Sequence, residues 1–540
     1  MRVVIIGGGA AGASCATRLR RLDENCEIII LERTDEVSIA NCALPYYCSD
    51  VIEDRDNILV STPIRFKNMF NIDVYLNTEV IDINRLEKYV LTNNNEKFYY
   101  DKLVLAQGAS PIKPNFIQDF KNIFTLRTLF DADKIKDYIS KNNPQKAVVI
   151  GGGFIGVEMA ENLVHLGLKT TLIEMKDKIL APIDNELTLM AQNEMRKNGV
   201  ELILSNGVKN INEFEIELVK GEKIQYDILI LALGVKPEIE LAQKIGLEVN
   251  IGIKVNDNMQ TSDNDIYAGG DSVETKNFVL DNYSLALLAG PANRQGRIIA
   301  DNICNIKSTY KKTQSTSVVK VFDYTVACCG VSEFLLKKEN VAYKKILIFN
   351  NSHASYYPNA QMNLYELLFD NNGKILGAQG IGKDGVEKRI DVIASIMRNN
   401  GVVQDLIDSE LCYAPPYSSA KDAINILGMC ADNVLRGYLK PIYLDDIKDS
   451  YLIDVRPFEM YKTGSVEGAI NIPLAQLRAK LNQIPKDKKI VVFCETGYTS
   501  YLASRILLQN GFCEVYSLMA GMKLYREMFY DFNNKKESFA

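Results

Sequence analysis

Short apolar runs recur along the chain, and most are followed by a glycine-rich turn or a helical stretch. The run at residues 3–6 leads into a glycine loop, the helical stretch SCATRLRRLDE and a second apolar run, IIIL, which ends at Glu32. The run AVVI at residues 147–150 is followed by the same order of elements, which ends at Glu174. Short continuous apolar runs that alternate with helices are typical of buried parallel strands. The pattern predicts an α/β fold in which one strand, loop, helix and strand unit occurs twice.

Both glycine loops have the spacing of a dinucleotide-binding fingerprint. Their glycines are Gly7, Gly9 and Gly12 in the first loop and Gly151, Gly153 and Gly156 in the second. Such glycines permit a tight turn and a close approach of the backbone to a pyrophosphate, while Glu32 and Glu174 are placed to hold ribose hydroxyls. With 34 glycines in 540 residues, chance alone gives about 0.13 matches to the GxGxxG spacing per chain. Two matches, each in this context, predict two bound dinucleotides.

A lone cysteine, Cys42, follows the first unit in the segment SIANCALPYY at residues 38–47. Tyr47 stands five residues later, where a CxxxxC enzyme keeps its second sulfur, and Cys48 lies one residue too far along for that spacing. A thiol without a neighbouring partner has to form its disulfide with a sulfur from a small molecule. The segment therefore predicts redox chemistry on a substrate thiol.

Composition narrows the classes of function. A chain of 540 residues has room for three or four domains. Lys and Arg total 62 against 68 for Asp and Glu, without a basic run, so we expect neither nucleic acid nor a membrane as partner. Neither a leader peptide nor a run of membrane-spanning length is visible, and the 11 cysteines are scattered, which together favour the cytoplasm. With only two histidines, we expect no metal site.

The two units resemble the two-dinucleotide disulfide reductase superfamily. Three further segments of the chain resemble it as well, namely LVLAQGASP (103–111), LILALGVKPE (229–238) and TSDNDIYAGGD (261–271). The resemblance implies FAD at the first loop and a nicotinamide cofactor at the second. It also implies that Asp271 contacts the ribityl chain of the flavin. The acid Glu174 should favour NADH over NADPH, because a carboxylate repels the 2′-phosphate.

The single-cysteine branch of this superfamily is the most similar, since the chain has neither CxxxxC nor a C-terminal His-Glu pair. Ala10 occupies the position at which peroxide-reducing enzymes and NADH oxidases are expected to carry a histidine. The segment around Cys42 resembles SFxNCxxPY of coenzyme A disulfide reductases, with Ile39 in place of the usual Phe. HASYYPNA (353–360), GKDGVEKRIDV (382–392) and YAPPYSSAKD (413–422) also resemble that family, and the similarity covers roughly residues 1–432.

The resemblance implies a homodimer in which Tyr356 and Tyr413 reach the active site from the partner subunit. There they would hydrogen-bond a mixed disulfide between Cys42 and coenzyme A, with Tyr357 and Tyr417 as neighbouring alternatives. It further implies a set of contacts to coenzyme A, namely Arg18, Arg21, Ser38, Asn41 and Lys67.

After residue 440 the pattern LIDVR, GAINIP, CETG and LMAGM resembles a rhodanese domain. Cys494 follows a strand and precedes a helix, where backbone N–H groups stabilise a thiolate or a persulfide, and it is therefore a candidate sulfur carrier. Glu495 and Tyr498 stand where that family often carries arginines, and Ser465 replaces its usual His. Because the loop around Cys494 carries little positive charge, the dianion thiosulfate should be a poor sulfur donor to this cysteine.

The resulting fold class is α/β, with two Rossmann-like dinucleotide-binding domains, an α+β dimerisation domain and a rhodanese-like α/β domain. The predicted boundaries are 1–112 with 245–312 for FAD, 113–244 for NAD(P)H, 313–432 for the interface and 441–535 for the tail.

The predicted reaction carries electrons from NADH through FAD to Cys42, whose thiolate is stabilised by the flavin and the loop amides. Coenzyme A disulfide and coenzyme A persulfide or polysulfide are both open as substrates. The alternatives are an NADH oxidase of the same branch and a non-catalytic flavin-bound redox sensor with a sulfur-carrier tail.

Overall fold

The first stretch of the chain holds the first glycine loop between a strand and a helix. In a computed structural model, residues 1–114 and 120–529 are described. Up to residue 111 the strands are β1 (Arg2–Ile6), β2 (Glu27–Leu31), β3 (Asp73–Tyr75), β4 (Val80–Asn84), β5 (Tyr89–Thr92), β6 (Lys97–Tyr99), β7 (Lys102–Leu105) and β8 (Ala109–Pro111). The helices are α1 (Ala10–Leu22), α2 (Leu44–Cys48) and α3 (Pro63–Phe70).

The second stretch repeats this plan around the second loop. Its strands are β9 (Ile123–Thr125), β10 (Lys146–Ile150), β11 (Lys169–Ile173), β12 (Glu201–Ile203), β13 (Val208–Ile211), β14 (Glu215–Leu218), β15 (Lys223–Gln225), β16 (Ile228–Leu231) and β17 (Val235–Pro237). The helices are α4 (Leu129–Asn142), α5 (Phe154–His165) and α6 (Asn185–Lys197).

Residues 240–303 return to the first sheet. They contain α7 (Glu240–Lys244), β18 (Ile253–Lys254), β19 (Ile266–Ala268), β20 (Val273–Lys276), β21 (Tyr283–Leu285) and α8 (Ala289–Ile303). The parallel sheet has the order β19-β7-β1-β2-β3, so a strand from residue 266 onward pairs with one from the first stretch. In the second stretch, β10 likewise pairs in parallel with β11 and β16.

The interface region is built on an antiparallel sheet of order β22-β23-β26-β25-β24. Its strands are β22 (Ser317–Val321), β23 (Tyr324–Gly330), β24 (Lys344–Asn351), β25 (Met362–Phe369) and β26 (Ile375–Gly382). Its helices are α9 (Glu333–Lys338), α10 (Val386–Arg398), α11 (Val403–Ile407) and α12 (Ala423–Leu435).

The tail is a parallel sheet of order β27-β31-β30-β28-β29 flanked by helices. Its strands are β27 (Pro441–Ile442), β28 (Tyr451–Asp454), β29 (Ile470–Asn471), β30 (Ile490–Phe493) and β31 (Val515–Leu518). Its helices are α13 (Phe458–Lys462), α14 (Leu474–Leu477), α15 (Tyr498–Gln509) and α16 (Gly521–Met528). Residues 530–535 of the predicted tail, and residues 115–119 of the predicted NAD(P)H domain, lie outside the described residues.

The predicted α/β class is confirmed, and burial explains why the sequence pattern could reveal it. Residues 3–5 of β1 and residues 103–105 of β7 are fully buried, because both faces of this parallel sheet are covered, by α1 and by the strands β4–β6 among others, so that every strand position is apolar. One prediction was imprecise: α1 begins at Ala10, inside the glycine motif, so Gly12 belongs to its first turn. Among the described residues, no helix combines the length and the apolar character that crossing a membrane requires.

The chain divides into two compact units. The first contains Met1–Asp177 and Ile203–Ser315, and the second contains Lys178–Leu202 and the residues described from Thr316 onward. Helix α6 therefore belongs to the second unit, where it packs on β22, β23 and β26 of the interface sheet and on α16 of the tail.

Two further contacts join the tail to α6 and to the interface region within the second unit. Asn193 of α6 donates from Nδ2 to the carbonyl and to Oε2 of Glu527, at 2.8 and 2.9 Å. The hydroxyl of Tyr443 donates to the carbonyl of Lys345, whose Nζ lies 4.5 Å from the centroid of the Tyr443 ring.

Candidate active site

The two glycine loops have nearly the same geometry. Gly7 and Gly151 have φ angles of +97° and +110°, a region that favours glycine. A Cβ on Gly12 would lie 2.0 Å from the carbonyl oxygen of Gly7, and one on Gly156 would lie 1.9 Å from that of Gly151. Glycine is therefore required at these positions so that the helix can pack against the loop.

The acids that directly follow β2 and β11 are hydrogen-bonded to their own loops. The N–H of Gly8 donates to Oε2 of Glu32 at 2.8 Å, and the N–H of Gly152 donates to Oε2 of Glu174 at 2.7 Å. Each carboxylate thus fixes its loop in position at the carboxyl end of the sheet. Beside Gly9 and Gly153 the structure leaves open space, which is where a pyrophosphate would approach the backbone.

A cavity of about 780 Å³ lies at the first loop. Gly7, Gly9, Glu32 and Asp271 line it, together with Cys42. The cavity therefore brings together the predicted FAD contacts and the predicted redox cysteine, which are up to 264 positions apart in the sequence (271 minus 7).

The cavity residues fit FAD. Oε1 of Gln107 is buried in the cavity wall and has no hydrogen-bond partner among the described residues, so a ligand with hydroxyl or N–H donors would satisfy it. Asp271 forms an ion pair with Arg127, whose Nη2 lies 2.8 Å from Oδ2. The described residues contain no group of three or more His, Cys, Asp or Glu side chains that could hold a metal ion.

Cys42 lies in a short 3₁₀ turn, Asn41–Ala43, at the edge of this cavity. The residue is exposed, but the protein around its thiol raises the pKa above the ordinary value. Partial desolvation is the largest cause, the charges of Glu158 and Asp271 add to it, and Arg127 opposes them. These protein groups together favour the neutral thiol, and the stabilisation of the thiolate by the flavin and the loop amides stays a prediction.

The neighbours of Cys42 along the chain do not offer it a second thiol. Cys48 is buried, and that burial raises the pKa of its thiol to about 12, which makes it unreactive. Tyr47 is also buried, and its hydroxyl donates to Oδ1 of Asp133 at 2.9 Å. Among the described residues that line the cavity, Cys42 is the one cysteine.

The predicted coenzyme A contacts fall into two groups. Ser38 and Asn41 line the same cavity as Cys42. Arg18 instead pairs through Nε with Asp301 at 2.8 Å, and Lys67 pairs with Asp73 at 2.7 Å. Arg21 is exposed on α1. The phosphate-binding role of these three basic residues stays a prediction.

The second unit brings the two predicted tyrosines together. The hydroxyls of Tyr356 and Tyr413 lie 3.0 Å apart, and both side chains are exposed, at 74% and 49%. The hydrogen bond to Tyr413 is the main reason why the pKa of Tyr356 is raised. The ring of Tyr357 packs edge-on against His353. Tyr356 is therefore the member of this neighbouring pair that meets Tyr413.

A buried ion pair that we did not predict supports both tyrosine loops. Arg389 donates from Nη2 to Asp422 at 2.8 Å and to the carbonyl of Ser352 at 2.6 Å. Asp422 also accepts from the hydroxyl of Ser418. One ion pair thus ties the start of the Tyr356 loop to the end of the Tyr413 loop. Both charged residues lie inside segments that the family resemblance had already marked.

In the tail, Cys494 directly follows β30 and is only 2% exposed. The N–H of Gly497, just before α15, donates to its Sγ at 3.1 Å, and the Sγ lies 3.6 Å from the hydroxyl of Ser500. The amide places a hydrogen-bond donor at the sulfur, as predicted for a thiolate or persulfide site.

Two arginines that we did not predict lie beside this loop, and both are neutralised. Glu495 pairs with Arg456 at 3.3 Å and with Arg526. Arg456 also pairs with Asp454 at 2.7 Å, and Asp454 accepts from the hydroxyl of Ser465. The loop therefore has arginines close by without a net positive charge.

Comparisons with known proteins agree with this arrangement. The model of the pyridine nucleotide-disulphide oxidoreductase family matches residues 1–296, that of its dimerisation domain matches residues 316–424, and that of the rhodanese-like domain matches residues 441–528. A coenzyme A disulfide reductase of Staphylococcus aureus strain JH9 is 38% identical over 436 residues, which are 79% of this chain and 99% of that protein.

Two solved structures are similar over nearly the whole chain. The reduced CoADR-RHD of Bacillus anthracis is 46% identical, with a TM-score of 0.95 and 98% of each chain covered. An NAD-dependent persulfide reductase from A. fulgidus is 36% identical, with a TM-score of 0.92, and the match covers 97% of this chain and 100% of that one.

Proposed function

The chain belongs to the pyridine nucleotide-disulphide oxidoreductase family, and from this premise we propose that it reduces coenzyme A disulfide or coenzyme A persulfide with electrons from NAD(P)H. The observation that carries the proposal is the position of Cys42 on the wall of the first-loop cavity. With Cys48 buried and Tyr47 bonded to Asp133, Cys42 is left to pair with a sulfur from the substrate.

The chain's own residues divide the work between the two loops. Gly7, Gly9 and Glu32 would hold FAD, and Gly153 and Glu174 would hold the nicotinamide cofactor. FAD, when bound, supplies the chemistry that accepts a hydride and passes on two electrons. The residues that line the first-loop cavity would orient FAD, and Cys42 forms part of the wall of that cavity.

At Cys42 the proposed chemistry is thiol–disulfide exchange. The thiolate attacks one sulfur of the substrate, the sulfur–sulfur bond breaks, and the leaving thiolate takes a proton. Two electrons from NAD(P)H then cleave the mixed disulfide and free Cys42 for the next turnover. In the proposed homodimer, Tyr356 and Tyr413 of the partner subunit orient the substrate sulfur and donate the proton.

The tail favours sulfane sulfur as part of the physiological substrate. Cys494 sits beside a loop amide and two neutralised arginines, a setting suited to a persulfide of low charge. We propose that Cys494 carries such a sulfur and that coenzyme A persulfide or polysulfide is reduced at Cys42 with release of sulfide. The similar persulfide reductase from A. fulgidus supports this assignment.

The test is anaerobic NADH oxidation by FAD-loaded enzyme with coenzyme A disulfide and, separately, coenzyme A persulfide. Cys42→Ser should abolish both reactions, whereas Cys513→Ser, which changes an exposed cysteine of the tail, should alter neither. Faster turnover on the persulfide would identify a persulfide reductase, and turnover on the disulfide alone would identify a coenzyme A disulfide reductase. Oxygen-dependent turnover that survives Cys42→Ser would favour an NADH oxidase, and no turnover on any acceptor would favour a redox sensor.

A further inference from the structure

The short turn that carries Cys42 is not fixed by the packing of its own side chains. None of its three residues, Asn41–Ala43, is buried. Helix α2, which follows the turn directly, is different, because most of its residues, Tyr47 among them, are buried. The position of Cys42 on the wall of the first-loop cavity therefore depends on what holds α2 on one side of the turn and the preceding residues on the other.

A second short turn, Arg55–Ile58, lies against the chain just before Cys42. The N–H of Ala40 donates to the carbonyl of Ile58 at 2.9 Å. The backbone that enters the Cys42 turn is thus bonded to the end of the Arg55 turn.

On the other side of Cys42, the Arg55 side chain reaches α2 through one carboxylate. The hydroxyl of Tyr47 donates to Oδ1 of Asp133 at 2.9 Å, and Nε of Arg55 donates to Oδ2 of the same acid at 3.0 Å. Burial, and then the bond to Asp133, raise the pKa of Tyr47 to about 12, so the phenol stays a donor at neutral pH. Lys136, which also lies on α4, donates from Nζ to the carbonyl of Tyr47 at 3.0 Å. These bonds anchor α2 to α4.

The same guanidinium reaches the wall of the first-loop cavity. Nη1 of Arg55 donates to Oε1 of Glu36 at 2.9 Å, and Glu36 lines that cavity. The hydroxyl of Thr34 lies 2.8 Å both from the carbonyl of Glu36 and from Oε1 of Glu32, the acid that is bonded to the first glycine loop. A continuous series of contacts therefore runs from α2 through Arg55 to the acid predicted to hold the ribose of FAD.

Arg55 stands between two cavities. Together with Tyr47 and Asp133 it lines a second cavity of about 740 Å³, whereas Glu36 and Cys42 line the first. Neither Tyr47 nor Asp133 is among the described residues that line the first cavity, so these two can influence a ligand there only through their neighbours. The guanidinium has separate nitrogens for the two acids, which a lysine side chain lacks.

We propose that Arg55 is a positioning residue that couples the occupancy of the first-loop cavity to the position of Cys42. This inference rests on the proposed function. A ligand in the cavity fixes residues 32–36, and Arg55 is bonded to the last of these. Through its own turn and through Asp133, Arg55 then fixes the backbone on both sides of Cys42. Arg55 itself exchanges neither a proton nor an electron.

The experiment compares Arg55→Met, Arg55→Lys, Glu36→Gln and Tyr47→Phe with the matched control Arg85→Met. Arg85 pairs with Asp263 at 2.8 Å, and its side chain is 36% exposed, against 34% for Arg55. It belongs to the same compact unit, but it is not among the described residues that line either cavity.

Three quantities are measured on each FAD-loaded protein. The first is the dissociation constant of FAD, from the flavin fluorescence that appears on dilution. The second is the pair of stopped-flow rates for enzyme that carries a mixed disulfide between Cys42 and coenzyme A, namely the loss of flavin absorbance with NADH and its return as the disulfide is cleaved. The third is the rate at which iodoacetamide alkylates Cys42, read from the mass of the Cys42 peptide. The melting temperature confirms that each variant is folded.

Arg55→Met should slow the return of flavin absorbance at least about 10-fold, because a misplacement of about 1 Å at reacting atoms is that costly. The step with NADH and the KM for NADH should stay as in the wild type. The dissociation constant of FAD should rise at least about 5-fold in Arg55→Met, and it should also rise in Tyr47→Phe. Arg55→Lys should restore part of the loss, and Arg85→Met should change nothing.

The alkylation rate separates position from charge. Arg55→Met removes a positive charge and Glu36→Gln removes a negative one, so a purely electrostatic effect on the Cys42 thiol would have opposite signs in the two variants. Because both variants break the same series of contacts, we expect their alkylation rates to change in the same direction.

The proposal is overturned if Arg55→Met slows both stopped-flow steps alike or neither, or if Tyr47→Phe keeps the wild-type dissociation constant of FAD. Opposite changes of the alkylation rate in Arg55→Met and Glu36→Gln would overturn it as well. A wild-type enzyme without Cys42-dependent turnover would contradict the proposed function instead. In that case the FAD and alkylation measurements still decide whether Arg55 couples the cavity to Cys42.

Discussion

The hydroxyls of Tyr356 and Tyr413 meet at 3.0 Å although 57 positions separate the two residues in the sequence. Both rings remain largely exposed, so their hydrogen bond is not a product of a packed core. The arrangement holds two phenol groups side by side on the surface of the second unit.

Removing either phenol should slow turnover. We expect Tyr356→Phe and Tyr413→Phe each to reduce kcat with coenzyme A disulfide by about 10-fold or more, because an oriented proton donor contributes at least that much. Anaerobic NADH oxidation measures the effect. Tyr417→Phe is the control, since Tyr417 is 71% exposed in the neighbouring segment. Equal loss in all three variants would refute the special role of the pair.

Glu174 should set the preference for the nicotinamide cofactor. We expect kcat/KM for NADH to exceed that for NADPH at least about 10-fold, because the carboxylate repels a 2′-phosphate. Glu174→Ala should narrow this ratio and also raise both KM values, since it removes the hydrogen bond to Gly152. Glu201→Ala, which changes an exposed acid on β12, should leave the ratio as it is. A ratio that survives Glu174→Ala would assign the preference to other residues.

Glu495 should make thiosulfate a poor sulfur donor to Cys494 in the tail. In Glu495→Gln, the charges of Arg456 and Arg526 are no longer balanced by this acid. Sulfur transfer from thiosulfate to cyanide should then rise about 10-fold, because the loop near Cys494 becomes more positive by one charge, although Arg456 stays paired with Asp454. Transfer from a persulfide donor should change little. Glu459→Gln, an exposed acid of the same domain with 82% of its side chain accessible, serves as the control, and the idea fails if both variants respond alike.

Glu366 should make the protein less stable as the pH rises. Its side chain is fully buried, and this burial, with the charges of Asp184 and Glu186, raises its pKa well above the ordinary value against the opposing effect of Lys345. Lys345 lies 4.0 Å from Glu366 but only 2.8 Å from Glu186 and Glu333, so its charge is already balanced by other acids and offsets the burial of Glu366 only in part.

The sign follows from proton binding. Above the ordinary carboxyl pKa of about 4.3, the unfolded chain releases the Glu366 proton while the folded chain keeps it, so the free energy of unfolding falls as pH increases. Glu366→Gln mimics the protonated acid and should lack this decrease, with a melting temperature at about pH 8 equal to or above that of the wild type. Thermal unfolding across pH, with Glu339→Gln as an exposed control, measures the difference. Identical slopes in all three proteins would show that Glu366 is ionised when folded.

Local patterns in the sequence were sufficient for the two dinucleotide units and for part of the site, whereas the interface domain and the tail were predicted from the resemblance to known families. The glycine spacing, the strand before each loop and the acid after it all lie within about 30 residues, and the structure has each loop as the spacing predicts. The cavity also gathers Cys42, Glu32 and Asp271, although their roles as ligand contacts stay predictions.

The rest of the site depends on contacts between distant segments, and periodicity carries no information about those. Tyr47 meets Asp133, Arg389 meets Asp422, and Glu495 meets Arg526 only after helices and strands have packed. The sequence alone placed Glu495 in the loop of Cys494, but it could not show that Arg456 and Arg526 lie beside Glu495. Arg18 is a further example, because its ion-pair partner Asp301 lies on a helix 283 positions away.

The contacts of helix α16 determine how cooperatively the second unit unfolds. Its first amides bond to the carbonyls of Cys494 and Glu495, and near its end Glu527 is bonded to Asn193 of α6. Tyr443 covers Lys345 in the same unit. The rhodanese-like tail is therefore packed against the rest of the second unit and is not an independent domain on a flexible linker. Deleting it would strip cover from α6 and from Lys345, and calorimetry should record the tail and the interface region melting in a single cooperative transition.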